Sequence, residues 1–119
     1  MDWFYLFKLQ YTLFICAKVE VPLFILPAFF LRFRVLNPMM RCALGSVDAA
    51  FMALDHGWAI NLGGGYHHAS RKDGGGFCIY PDITMIAHYL RKEKRASKIL
   101  IIDLDAHQGN GHERDFIGD

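Results

Sequence analysis

Two short stretches of the chain carry side chains that could do acid–base or metal chemistry. The first, GGGYHHAS, places the adjacent histidines His67 and His68 directly after three glycines. The second, IIDLDAHQGNG, alternates polar with apolar residues, the polar ones being Asp103, Asp105 and His107. An imidazole has an ordinary pKa of about 6.5, so it can take up and release a proton near neutral pH. Together the two stretches indicate a site for hydrolysis, metal binding or both.

The second stretch has the spacing of metal ligands on a strand. Side chains two positions apart on a strand share a face, so Asp103, Asp105 and, where extension persists, His107 point the same way. Two neighbouring carboxylates repel each other and resist burial, and a bound cation relieves both problems. Carboxylate and imidazole ligands suggest Zn²⁺ or a similar divalent ion. The purely structural alternative is that Asp105 caps a turn and His107 is hydrogen-bonded at the surface.

The adjacent histidines suit proton transfer. A glycine-rich loop is free to place them beside a metal site, where one imidazole can accept a proton from water and return it to a leaving amine. This is the chemistry that amide hydrolysis requires. Asp103 is placed to orient one histidine. The remaining histidines are expected to be solvated or to cap helices; they are His56, His88 and His112.

Two amphipathic helices are predicted around these stretches. The first has Ser46 as its N-cap and ends at Gly57, which can adopt the left-handed conformation. Its apolar stripe consists of Val47, Ala50, Phe51 and Leu54. The second has Asp82 near its start and the basic run RKEKR at its end, a charge order that complements the helix dipole. Its apolar stripe consists of Ile83, Ile86, Ala87 and Leu90.

Two apolar runs predict buried strands, WAINL at residues 58–62 and KILIIDLD at residues 98–105. The order helix, strand, helix, strand predicts an α/β fold in which a parallel sheet is covered by helices on both faces. Sites in such sheets form where loops leave the carboxyl ends of the strands. The histidine stretch and the aspartate stretch are therefore expected at the same edge of the sheet.

Composition limits the partners and the compartment. The 119 residues allow one small domain, or a piece of one. Lys and Arg number 13 against 12 Asp and Glu, so no net field would attract nucleic acid or a membrane surface, and we expect neither as a partner. The three cysteines form no CxxC pair. Their odd number suits reduced thiols, which predicts an intracellular protein of the nucleus, the cytoplasm or both.

Residues 1–40 form an apolar N-terminal segment. Its longest uncharged run, Val21 to Leu31, has 11 residues and two prolines, whereas a membrane-spanning helix needs about 20 apolar residues. A secretory signal would need a basic start, and here Asp2 precedes the lone Lys8. We therefore expect a buried segment that needs covering, and this segment and the sheet edge are candidate surfaces for self-association.

Three motifs resemble the zinc-dependent histone deacetylases: GWAINLGGGYHH, GGGFCIYPDIT and IIDLDAHQGNGHERDF. The resemblance is greatest to the class IV, histone deacetylase 11-like members. It is strong from Gly57 to Phe116 and looser back through VLNPM and GSVDAA. It implies the arginase/deacetylase-like α/β fold, incomplete here, with residues 41–119 as part of the catalytic domain and residues 1–40 loosely family-like.

The resemblance also implies a mechanism. His67 and His68 match the family's tandem catalytic histidines, and Asp105 and His107 match two of its zinc ligands. The implied activity is hydrolysis of the amide of acyl-lysine by metal-activated water, with the histidine pair as acid and base. Histones and other acyl-lysine proteins are the implied substrates, and chromatin regulation is the implied process.

Four further positions take supporting roles by resemblance. Asp103 matches the aspartate that supports the first histidine and helps to hold a structural monovalent cation. Asn110 stands behind the second histidine, where class IV members have asparagine. Gly76 and Phe77 match the wall of the tunnel that admits the acyl-lysine side chain.

The resemblance leaves two alternatives open. The family's third zinc ligand and its oxyanion tyrosine have no counterpart here, so a truncated N-terminal portion is expected, and a catalytically inactive fragment that acts as a binding module is one alternative. The other is a two-metal ureohydrolase-like enzyme. That reading needs a carboxylate two residues after His107, where the chain has Gly109.

Overall fold

The computed structural model describes residues 27–119, and the regular secondary structure of this part is helical. Its elements are α1 (Ala28–Leu31), a π-helical segment (Arg32–Leu36), α2 (Asn37–His56), α3 (Asp82–Lys92) and α4 (Asn110–Asp115). The first three follow one another without a break. Most of the predicted apolar segment lies outside the described residues, and the predicted boundary between residues 40 and 41 falls within α2. None of the helices in residues 27–119 is both long enough and apolar enough to cross a membrane.

Helix α2 begins earlier than predicted. Its start contains Pro38, which has no amide hydrogen to donate and lies just after the π-helical segment. The prediction that Ser46 is the N-cap is therefore wrong: Ser46 lies in mid-helix, buried, with its hydroxyl bonded to Asp82. The predicted end is confirmed, since Gly57 has a φ of 96° and its amide donates to the Ala53 carbonyl at 2.8 Å.

Helix α3 follows the prediction closely. It begins at Asp82 and ends with Arg91 and Lys92 in its last turn, so its charges complement the helix dipole. Ala87 and Leu90 of the predicted stripe are buried. This face packs against α2, and α4 packs against α3. Helix α3 therefore lies in contact with both α2 and α4.

The two predicted strands are not formed in the described part of the chain. Residues 27–119 contain no strand, and their one isolated bridge joins Gly75 to Cys78. The prediction that the apolar runs are buried is wrong for this structure, because Leu62 is 97% and Leu104 is 91% exposed. A strand is buried only when neighbouring strands flank it, and the described residues supply helices but no neighbouring strand. The parallel sheet stays a prediction.

Candidate active site

The structure brings the histidine stretch and the aspartate stretch together beside the start of α4. The Nδ1 atom of His67 lies 2.8 Å from Oδ2 of Asp103, and Nδ1 of His68 lies 2.6 Å from Oδ1 of Asn110. The two rings are 4.1 Å apart between centroids, and the His107 ring lies 6.0 Å from that of His68. Four of these five side chains are joined in pairs by hydrogen bonds across more than thirty residues of sequence.

The hydrogen bonds fix which nitrogen of each neutral imidazole carries the proton. A carboxylate and an amide oxygen only accept, so His67 and His68 must both donate through Nδ1. In the neutral ring the other nitrogen, Nε2, then has a free lone pair. These two hydrogen bonds leave the Nε2 atoms uninvolved. The pair therefore presents two proton acceptors side by side.

Asp103 holds two imidazoles at once. Its Oδ2 atom accepts from Nε2 of His112 at 3.1 Å as well as from His67. Its Oδ1 atom accepts from the amide of Asp105 at 3.1 Å. The hydrogen bond from His112, followed by that from His67, holds the pKa of Asp103 well below its usual range. Asp103 is therefore anionic at neutral pH and can stabilise a protonated His67.

His112 is a residue that the sequence interpretation missed. It was expected to be a solvated or capping histidine, whereas its side chain is only 15% exposed and bonds Asp103. It lies in α4, a helix that the sequence did not reveal because it has only six residues and two glycines in or next to it. Gly109 was the one sequence feature that could have pointed to this contact. A Cβ at that position would lie 2.1 Å from Nε2 of His112 and 2.5 Å from Oδ2 of Asp103. Only glycine leaves room for this contact.

Asp105 and His107 lie at the exposed side of the site. The Asp105 Oδ1 atom accepts from the His107 amide at 2.8 Å and lies 3.1 Å from Nδ1 of its ring. The hydrogen bond from that amide, then the one from the ring, lowers the pKa of the Asp105 carboxyl. The Asp105 side chain is 53% exposed and the His107 side chain is 79% exposed, so solvent and ions reach both.

Asp105 and His107 are the two residues predicted to bind zinc, and the distance between their donor atoms can be compared with that in a zinc site. Zinc bonds to nitrogen and oxygen are about 2.0–2.2 Å long, so tetrahedral ligand atoms lie about 3.3–3.5 Å apart. The observed separation between the Asp105 carboxylate and the His107 ring is 3.1 Å and is spanned by a hydrogen bond, so sharing an ion would require a small opening and loss of the Nδ1 proton. Residues 27–119 contain no group of three or more His, Cys, Asp or Glu side chains placed to hold a metal.

Gly76 and Phe77 form the tip of a tight turn beside His68. Gly75 and Cys78 exchange two backbone hydrogen bonds of 3.0 and 2.7 Å around it. The two tip residues have positive φ angles of 47° and 62°, as a type I′ turn requires. A Cβ on Gly76 would lie 2.2 Å from Cδ2 of His68, so glycine lets the turn contact that ring. Phe77 is 70% exposed and held in a backbone conformation that is rare for an aromatic residue.

Comparison with known proteins points to one family. Residues 28–119 match the histone deacetylase domain. Histone deacetylase 2 of Arabidopsis thaliana is 44% identical over 113 residues, which are 94% of this chain and 29% of that protein. The acetoin utilization protein AcuC of Staphylococcus aureus (strain COL) is 51% identical over 59 residues, 50% of this chain and 15% of that protein.

An uncharacterized protein of Picosynechococcus is 45% identical over 67 residues, 56% of this chain and 22% of that protein. No solved structure gave a significant match to this chain. The chain thus spans less than a third of the length of these three relatives.

Proposed function

The chain belongs to the histone deacetylase family, a family of hydrolases, and we propose that it hydrolyses the amide bond of acyl-lysine side chains in a zinc-dependent reaction. The observation that carries this proposal is the histidine pair. His67 and His68 each donate through Nδ1 to a fixed acceptor, which leaves both Nε2 atoms free for proton transfer. Such an arrangement is typical of general acid–base catalysis.

His67 and His68 donate to different acceptors, and this difference supports different roles for them in proton transfer. Asp103 is a carboxylate, so it stabilises His67 when that ring carries a second proton. Asn110 accepts from His68 through a neutral amide oxygen, so this acceptor carries no negative charge. The pair can therefore accept a proton from water through His68 and keep a positive charge beside the reacting amide through His67.

Asp105 and His107 are the residues that would hold zinc. When bound, the ion would polarise the amide carbonyl and acidify the attacking water. The 3.1 Å separation of their donor atoms and their exposure support this assignment. The backbone around Asp103 is also proposed, by family resemblance, to hold a monovalent cation.

The finer assignments rest on single positions. Asn110 supports placement in class IV, and Gly76 with the exposed Phe77 supports a tunnel wall next to His68. Acyl-lysine proteins such as histones are the proposed substrates, in the nucleus or the cytoplasm. The ureohydrolase-like alternative is disfavoured because Gly109 lies against Asp103 and His112, which leaves no space for the carboxylate that it requires.

The test is hydrolysis of acetyl-lysine and myristoyl-lysine peptides by the purified chain, with and without a zinc chelator. We expect His68→Ala to lower turnover about 10²- to 10⁴-fold, the usual contribution of a positioned acid–base group. The matched control is His88→Ala, which removes an exposed histidine from α3 and should leave turnover unchanged. Equal turnover by the wild type and His68→Ala would contradict the proposal. A folded, zinc-loaded chain without turnover would favour the inactive binding module.

A further inference from the structure

Asp82 is a buried carboxylate at the start of α3. Its side chain is 1% exposed, and no lysine, arginine or histidine of residues 27–119 forms an ion pair with it. A buried charge is costly unless hydrogen bonds replace the lost water. Asp82 is neither a predicted site residue nor in contact with the histidine rings, so the catalytic chemistry described above does not account for it.

Three hydrogen bonds compensate this charge, and two of them come from the histidine loop, residues 63–70. The amide of Gly65 donates to Oδ2 at 2.8 Å, and the amide of Tyr66 donates to Oδ1 at 2.8 Å. The Ser46 hydroxyl donates to Oδ2 at 2.6 Å. Both oxygens of Asp82 are therefore engaged, and two of the three donors are consecutive amides directly before His67.

Ser46 is itself held in place from two sides. The side-chain amide of Asn61 donates to the Ser46 oxygen at 2.7 Å and to the Cys42 carbonyl of α2 at 3.0 Å. The hydroxyl proton is thereby directed to Asp82. Gly64 passes close over this network: a Cβ there would lie 1.9 Å from the Ser46 oxygen and 2.6 Å from Oδ2 of Asp82. Glycine is required for the loop to reach the carboxylate.

The position of the held amides decides where both histidines lie. Gly65 has a φ of 84°, and its carbonyl accepts from the His67 amide at 2.9 Å. The Tyr66 carbonyl accepts from the Ala69 amide at 3.1 Å, which closes a turn around the pair. A shift of residues 65 and 66 would therefore move both rings relative to their acceptors on the other stretch.

We propose that Asp82 is a positioning residue that clamps the glycine loop so that His67 and His68 reach Asp103 and Asn110. It touches no reacting atom and acts through the backbone of the histidine loop. The kinetic consequence rests on the proposed deacylase function, whereas the geometric consequence does not. The two can therefore be tested separately.

The test is Asp82→Asn, which keeps the shape but replaces one accepting oxygen with an amide donor that must face another donor. The matched control is Asp115→Asn. Asp115 accepts from the Arg71 amide at 3.0 Å and from the Thr84 hydroxyl at 2.6 Å, so it also anchors a loop to α3, but beyond the histidine pair.

Two readouts are compared in the wild-type and variant chains. In nuclear magnetic resonance spectra, the Nδ1–H protons of His67 and His68 should be protected from exchange in the wild type and in Asp115→Asn, and lost in Asp82→Asn. In peptide hydrolysis, Asp82→Asn should lower kcat about a hundredfold, the usual cost of a misplaced catalytic group, with KM unchanged. Ser46→Ala removes one of the three donors to Asp82. It should reduce both the Nδ1–H signals and kcat, but by less than Asp82→Asn does.

The outcomes separate the two proposals. Loss of the Nδ1–H signals in Asp82→Asn, with the signals kept in Asp115→Asn, supports the positioning role whether or not the chain hydrolyses peptide. Absence of turnover in the wild type and in every variant would count only against the deacylase function. Retained signals, with unfolding curves shifted equally in Asp82→Asn and Asp115→Asn, would overturn the positioning role. Where Asp82→Asn does not fold, Ser46→Ala decides by the same signals.

Discussion

Replacing Gly111 by alanine should destabilise the chain, although alanine is the better helix former. Gly111 is the second residue of α4, where an alanine would ordinarily gain up to about 1 kcal/mol. Here its Cβ would lie 2.2 Å from the Ala69 carbonyl oxygen and 2.6 Å from that of His67. Both are backbone atoms of the histidine loop, so neither can rotate away. The helix must move instead.

The magnitude follows from the contacts that would be lost. Moving α4 breaks the hydrogen bond from the Gly111 amide to the His67 carbonyl, 2.8 Å long, for which we take about 1 kcal/mol. Forcing a methyl group into a packed contact costs about 1–3 kcal/mol. Helix α4 has only six residues, so the higher helix propensity of alanine offsets little of this loss. We expect a net loss of roughly 2–3 kcal/mol of unfolding free energy.

The measurement is urea unfolding of Gly111→Ala beside Gly45→Ala. Gly45 lies in the middle of α2, and a Cβ there would meet its nearest atom, Oδ1 of Asn61, at an ordinary 3.4 Å. This control should gain about 0.5–1 kcal/mol because alanine restricts the unfolded chain. The two helical glycines are thus expected to differ in sign. Equal stabilisation by both alanines would refute the claim that α4 is pressed against the histidine loop.

Three further predictions concern single groups. Asn110→Ala should release His68 from its Nδ1–H tautomer, seen as a changed pattern of ring nitrogen couplings in long-range ¹H–¹⁵N spectra. Because folding lowers the pKa of Asp103, its contribution to stability is present above the ordinary carboxyl pKa of about 3.9 and is lost as the pH falls toward the folded value. His112→Ala should raise that folded pKa, so that Asp103 contributes less stability and the acid loss is complete at a higher pH, measured by unfolding across the acid range. Burial raises the pKa of the Cys78 thiol, so its alkylation near neutral pH should be slow until the chain unfolds, as peptide mass spectrometry would show.

Sequence patterns predicted the end of α2 and the whole of α3, because the residues that determine them are close together in the chain. The end of α2 followed from Gly57, because only glycine readily adopts the left-handed cap. Helix α3 followed from its apolar spacing and charge order. The start of α2 was predicted wrongly because Ser46 looks like a cap, while its actual role depends on Asp82, distant in sequence. The sequence around a serine does not distinguish one that caps a helix from one that bonds a buried carboxylate.

The sequence marks the candidate site residues but not the contacts that support them. Alternating Asp and His residues after an apolar run, and adjacent histidines after glycines, mark both halves of the site without any structure. The contacts of His112 and Asp82 depend on close approaches at Gly109 and Gly64, which no periodicity reveals. The buried strands were predicted from apolar runs, but burial of a strand depends on neighbours that residues 27–119 do not supply.

The most direct test of the central claim measures zinc content and acetate release on the same sample of purified chain with an acetyl-lysine peptide. Asp105→Asn serves as the ligand variant, because it keeps the turn at His107 while removing the anionic donor. We predict bound zinc and chelator-sensitive acetate release in the wild type, with both reduced in the variant. A soluble, folded wild-type chain that neither retains zinc nor releases acetate would contradict the claim that these residues form a deacylase site.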